Sequence, residues 1–275
     1  MNDLQKEILQ IFKVVKKICD DNNLRYYAIG GTCIGAIRHK GFIPWDDDLD
    51  IAMPRSDYEK FKVISKTVLP APYQIIDEKF SYHYTPVFMK VHNVETTLIQ
   101  SDSLSYADCY SGVFVDIMPL DGLPNNRIMK NIHFFLLTTL MKLNSMRRGK
   151  AGIGGKKKIL SYFVRLFPLN FFLDIYLFFV KQFSYDSVKN SQSSFAWSHR
   201  AKTLILEKED FSFHTIFKFE DTEISCPKGY DHYLRMHFGD YMKIPEVDKQ
   251  VAHDNAIIDL TKSYKYYQKE KNEIE

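Results

Sequence analysis

The 275-residue sequence has little cysteine, little tryptophan and almost no excess of charge of either sign. Its four cysteines, Cys19, Cys33, Cys109 and Cys226, lie far apart, without metal-finger spacing or the density of a disulfide framework. Reduced thiols and a cytoplasmic protein are the expectation. A net charge of +3 is too small to argue for nucleic acid. The basic residues are scattered apart from Arg147-Arg148 and Lys156-Lys157-Lys158, with no aromatic interleaving that would stack bases. The opening Met1-Asn2-Asp3-Leu4 lacks a basic segment followed by an apolar core, so no secretory signal is expected. A clean membrane span is missing too. The most apolar and aromatic stretch, Ile159 to Phe183, is broken by Arg165, Pro168, Asp174 and Lys181, well short of the ~20 residues required. It reads as a buried helical pair. The alternative is a helix in the bilayer interface, with the preceding lysines near anionic headgroups. What remains, 45% hydrophobic and 26% charged residues, is the composition of a globular chain able to bury a substantial core in one or two domains.

Against this ordinary background one stretch stands out. Four carboxylates fall within five residues, Asp46, Asp47, Asp48 and Asp50, between Trp45 and the apolar Leu49, Ile51 and Met53. Unpaired, such charges repel one another. Placed beside apolar residues, they predict a cation to hold. A solvated acidic turn is the plainer reading, and stacked like charges argue against it. Asp46, Asp48 and Asp50 match the first three ligand positions of an EF-hand, but Ile51 stands where that loop needs glycine and Asp57 where it needs glutamate. The alternation Asp48-Leu49-Asp50-Ile51 reads instead as a strand over 48–53. There both acids share one face and suit Mg²⁺ or Mn²⁺, which favour oxygen ligands. Asp116 sits in a second strand-like run, Val113–Met118, where an isolated acid is costly to bury unless it meets a cation. If the two strands are neighbours, three carboxylates converge and support phosphoryl or nucleotidyl transfer. Upstream, a strand at 25–29 runs into Gly30-Gly31-Thr32, where the backbone could approach a phosphate.

Periodicity predicts an amphipathic helix over 3–22 and a helix over 31–38. Ser56 and Glu59 suggest a capping box for a helix over 56–68. Strands are expected at 73–77, 87–92 and 113–118, the last closed by Pro119–Gly122. Helices follow at 126–147 and 156–183, separated by a glycine-rich hinge over 149–155 that lacks the Lys-[Ser/Thr] ending of a phosphate loop. The segment from Tyr264 to Glu275 reads as a charged helix or a frayed tail.

The run Tyr27-Ala28-Ile29-Gly30-Gly31-Thr32, with Gly35 through Ile51 and then Met53-Pro54-Arg55 and Asp57-Tyr58, resembles the opening signature of the LicD family. That family includes bacterial cholinephosphotransferases and is related to fukutin and fukutin-related protein. The resemblance is dense over about 25–60 and recurs at 112–122. It is weaker at Phe238-Gly239-Asp240-Tyr241-Met242 with Pro245 and His253, and faint from 125 to 218. It implies an α+β fold with a nucleotidyltransferase-like mixed β-sheet flanked by helices and a helical middle and C-terminal insertion. The corresponding division is a catalytic core over 1–124 and a mainly helical segment over 125–275 with C-terminal elements returning to the core. It implies an enzyme that moves a phosphorylated alcohol, such as phosphocholine or phosphoglycerol, from a CDP-activated donor to a sugar hydroxyl of a glycan or lipid-linked glycan. Peripheral association with the inner face of the membrane would suit such an acceptor. The alternatives are a nucleotidyltransferase that moves a nucleoside monophosphate, and a non-catalytic nucleotide-binding module.

In the site so expected, Asp48, Asp50 and Asp116 are catalytic and hold the metal, with Asp46 a further ligand. Gly30, Gly31, Thr32 and Arg38 bind the donor phosphates, Arg38 having a salt bridge to Asp46 or Asp47 as its structural alternative. Asp116 is the better candidate for the general base. His253 is a substrate contact or, alternatively, a packing histidine. Tyr, Phe and Trp197 could form an aromatic cage for choline, and polar groups could equally serve a polyol.

Overall fold

The computed structural model describes residues 1–149, 156–187, 190–193 and 205–274. Helix α1 (Asp3–Asp21) opens on a capping box in which Asn2 and Gln5 exchange side-chain and backbone hydrogen bonds. Its apolar face, including Ile8, Phe12 and Val15, is wholly buried. Strand β1 (Tyr27–Ala28) leads into the short helix α2 (Gly30–Ile34), which widens into a π-helical turn over Gly35–His39. Gly35 is required there because a Cβ would lie 2.5 Å from the Gly41 carbonyl oxygen. Strand β2 (Asp50–Pro54), helix α3 (Arg55–Val68) and strands β3 (Tyr73–Ile76), β4 (Met89–Asn93), β5 (Thr97–Gln100) and β6 (Phe114–Gly122) complete the first half. Helices α4 (Arg127–Arg147), α5 (Lys156–Val164) and α6 (Phe171–Val180) follow. Next come strands β7 (Asn190–Ser193), β8 (Ile205–Glu207), β9 (His214–Phe219) and β10 (Thr222–Pro227). Helix α7 (Tyr230–Phe238), strand β11 (Asn255–Asp259) and helix α8 (Tyr264–Ile274) close the chain.

The fold is α+β. A mixed sheet runs β1-β2-β6-β4-β3, with β7 paired to the far end of β6 and β8 to β7. Only the β2–β6 pair in this sheet is parallel, and it sets Asp50 directly beside Asp116. The expected adjacency of the two acidic strands is therefore present. The main core lies between this sheet, α1, α3 and the β9–β10 hairpin. A second apolar cluster joins α4, α5 and α6 around Leu137, Val164 and Tyr176.

Several expectations are corrected. Strand β2 begins at Asp50, so Asp48 lies in the extended segment before it. Helix α3 has Pro54 at its N-cap and no side-chain cap. Ser56 and Glu59 are instead drawn away by Arg25 and by Arg55 and Lys181. Strand β6 continues through Pro119, because β2 pairs with it as far as Leu120 and β7 takes over 120–122. The stretch over 156–183 is a pair of helices with Pro168 between them, but the first of them is largely exposed and not buried. Within the expected 149–155 hinge, only Gly149 is among the described residues, and Trp197 lies outside them. The β5–β11 ladder, the β9–β10 hairpin and α7 were not expected. They bring the C-terminal third back against the first half.

Candidate active site

The acids line a cavity of about 550 Å³, whose lining includes Asp48, Asp50, Lys90, Asp116 and His253. Met141, Lys142 and Ser145 of α4 also line it. Several backbone fastenings hold the acidic segment. Gln5 on α1 donates from Nε2 to the carbonyls of Ile43 (3.2 Å) and Asp46 (2.8 Å). The Asp50 amide donates to Thr32 Oγ1 at 2.8 Å. Thr32 therefore positions a carboxylate-bearing residue through its backbone. The Gly30 amide donates to the Tyr233 hydroxyl at 3.0 Å, which joins α7 to the glycine turn.

The two glycines have specific reasons to be glycine. Gly30 adopts φ +55°, in the left-handed region. A Cβ on Gly31 would lie 2.6 Å from Asp46 Oδ2, so the missing side chain makes room for an acid. Substitution there disturbs the carboxylate cluster as well as any phosphate approach.

Charge repulsion and burial leave their mark on the acids. Burial, followed by the negative charge of Asp46, pushes the Asp48 carboxyl up to about 7. Burial raises Asp50 well above the usual carboxylate range, and Asp48 and Asp116 add to it. Asp50 Oδ1 is buried with no hydrogen-bond partner. Burial also raises Asp116, and Lys90, 2.9 Å away, pulls it back. A buried orphan oxygen among mutually repelling carboxylates is the environment that a divalent cation would relieve. The donor set fits Mg²⁺ or Mn²⁺.

His253 meets these acids. Its amide and Nδ1 both bond Asp47 Oδ1, at 3.1 and 2.8 Å, and Nδ1 lies 3.6 Å from Asp48. Asn255 also hydrogen-bonds Asp47. The hydrogen bond to Asp47 and the surrounding negative charge push the His253 imidazole up to about 9, against the effect of burial. Burial would raise Asp47, but its hydrogen bonds with His253 bring it below the usual range. Potential ligand atoms of Asp46, Asp48 and His253 lie within 4.8 Å of one another. Such a raised imidazole is protonated at neutral pH, so His253 here acts as a counter-charge to the acids.

Arg38 is placed differently from expectation. Its Nη1 donates to the carbonyls of Tyr241 (2.6 Å) and Lys243 (3.2 Å), and its Nε faces His39. Among the described contacts it makes no salt bridge to Asp46 or Asp47. It fastens the 241–243 segment to the turn after α2.

Sequence reasoning missed Lys90, Gln5, Tyr233 and Asn255. Lys90 carried a signal, a single cation within the apolar run Val87-Phe88-Met89-Lys90-Val91. Its ammonium is buried 3.4 Å from the centre of the Phe114 ring. The other three act through contacts distant in sequence and carried none.

Residues 23–138 match the model of the LicD/FKTN/FKRP nucleotidyltransferase domain. The chain is 28% identical over 263 residues to the lipopolysaccharide cholinephosphotransferase LicD of Haemophilus influenzae, an alignment covering 92% of this chain and 95% of that protein. An uncharacterized protein of Rickettsia prowazekii is 25% identical over 161 residues, covering 58% of this chain and 54% of its own length. Another, from Rickettsia typhi, is 35% identical over 78 residues, covering 27% and 25%. The domain match falls on the segment that builds the acid cluster, the H. influenzae alignment covers nearly the whole chain, and the chain is thus similar to the LicD family.

Proposed function

We propose that this chain is a phosphotransferase. It moves a phosphocholine-type group from a CDP-activated donor to a hydroxyl of a lipopolysaccharide-like or other cell-surface glycan, at the inner face of the membrane. The reading is carried by the convergence of Asp48, Asp50 and Asp116 on one cavity, in a chain similar over nearly its whole length to a lipopolysaccharide cholinephosphotransferase. Asp48 and Asp50, with Asp46 beside them, would hold Mg²⁺ or Mn²⁺. When bound, the ion neutralises charge developing on the transferred phosphoryl group.

The chain's own residues supply the rest. Gly30, Gly31 and Thr32 border the donor phosphates, and Arg38 holds the neighbouring 241–243 segment. Asp116 takes the proton from the attacking hydroxyl. Burial makes it a stronger acceptor than a solvent-exposed carboxylate, and Lys90 fixes its orientation. The glycan oxygen bonds to the β-phosphorus, the bond from that phosphorus to the bridging oxygen breaks, and CMP departs. His253 balances the negative charge of Asp47 and Asp48.

Mass spectrometry of surface glycan from cells with and without the chain tests the reading. The mass lost on deletion should be that of phosphocholine or a related phosphorylated alcohol. Loss of a nucleoside monophosphate would favour the nucleotidyltransferase alternative, and an unchanged glycan would reject both transfers.

A further inference from the structure

We infer that the α5–α6 corner is a docking surface for an anionic phospholipid bilayer. The inference deepens the membrane-face location in the proposed function and does not depend on which group is transferred. On α5 and the turn that follows it, Ile159, Tyr162, Phe163 and Leu166 recur at helical spacing and are exposed, Ile159 and Leu166 by more than three quarters. Only Ser161 and Val164 of the helix's described side chains are buried. Val164 joins the α4–α6 cluster, so α5 rests on the protein along one narrow line. The apolar stripe continues without a break. The Phe163 ring lies 5.8 Å from Phe167, which stacks on Phe171 at 4.8 Å. Beyond it, Pro168, Phe171, Ile175 and Phe178 border a shallow groove.

Charge selects the occupant. Between Asp121 and Asp174 the sequence has no acidic residue and ten lysines and arginines; Arg148 is buried and Lys142 lines the cavity, while Lys156, Lys157, Lys158 and Arg165 belong to α5 and the turn after it. The chain as a whole is only +3, so the remainder is net negative. A second copy of this chain would bring two such cation-rich segments together, which repulsion disfavours. An anionic lipid surface satisfies both features, with apolar side chains entering the headgroup boundary and cations meeting phosphates. No helix among the described residues is long and apolar enough to cross a membrane, which fits a helix lying on it. The contact would sit beside α4, whose Met141, Lys142 and Ser145 line the acid-bearing cavity. A lipid-linked acceptor could therefore reach the acids from a docked enzyme.

The test uses the full chain with vesicles of phosphatidylcholine alone or mixed with phosphatidylglycerol. Flotation should recover it with the anionic vesicles, less at high salt, and not with phosphatidylcholine alone. The double variant Phe163→Ser/Leu166→Ser should bind at least ~10-fold more weakly while keeping its circular dichroism and melting temperature. Phe163→Trp should show a vesicle-dependent blue shift in its emission. Failure to bind anionic vesicles, or unweakened binding by the folded double variant, overturns the surface. So does a wild-type dimer that the double variant dissociates, since the face would then belong to a second copy. Transfer to a water-soluble acceptor separates the two proposals. Vesicle binding without transfer defeats only the transferase reading, and transfer without vesicle binding defeats only the docking surface.

Discussion

Asp50 is the residue on which the proposed chemistry turns, because its Oδ1 is interior, has no hydrogen-bond partner among the described residues and is surrounded by like charge. Asp48→Asn removes one repelling charge. It should cut turnover by at least ~10²-fold and weaken Mn²⁺ binding measured by electron paramagnetic resonance, with no loss of melting temperature. Retained turnover in that variant, or in excess chelator, would contradict the metal role. Thr32→Val tests the fastening of the same residue. The buried Asp50 amide loses its acceptor, at a cost of about 1–3 kcal/mol in denaturant unfolding. An unchanged midpoint would mean that Thr32 holds nothing there. The acids and glycines were legible in the sequence because their type and spacing are chemically unusual. Arg38 was legible only as a charge, since its carbonyl partners lie about two hundred residues away.

Among the elements, two fastenings invite measurement. Arg55 at the start of α3 grips Asp121 on β6 with two hydrogen bonds, of 2.6 and 2.7 Å, in the interior. Arg55→Ala strands a buried carboxylate and should cost about 3–5 kcal/mol. Arg55→Met with Asp121→Leu should recover most of that in the same unfolding assay. On β4, His92 is buried and accepts the Gly112 amide at Nδ1, 3.3 Å away. Burial, with Lys265 and Lys90 nearby, pushes its imidazole down from 6.5 to about 4. The unfolded chain therefore takes a proton below pH 6.5 that the folded chain refuses until about pH 4. Stability from His92 is full above that window and falls by about 3 kcal/mol across it on acidification. His92→Gln keeps an acceptor and should flatten this part of the pH–stability curve, and an unaltered curve would remove His92 as its cause. Helix and strand types were legible from periodicity, as α1 and the β2–β6 pair attest. The capping box on α3 was not, because Arg25, Arg55 and Lys181 compete for its two side chains.

Across the whole molecule, the acids of β2 and β6 share a cavity with residues of α4, while His253 arrives from the last third of the chain. A return of C-terminal elements was among the expectations, and the partners they pair with were not. The β5–β11 ladder pairs residues more than one hundred and fifty positions apart, and the β9–β10 hairpin packs on α1 and β1 through partners such as Phe12 and Phe219. The central claim is that this assembled cavity directs attack to the β-phosphorus of a CDP-activated donor. The direct measurement is to incubate purified protein with Mg²⁺, CDP-choline and glycan acceptor, and to identify both products by mass spectrometry. The account predicts phosphocholine on the glycan and free CMP, both abolished by Asp48→Asn. Cytidine monophosphate on the glycan with free phosphocholine would contradict it.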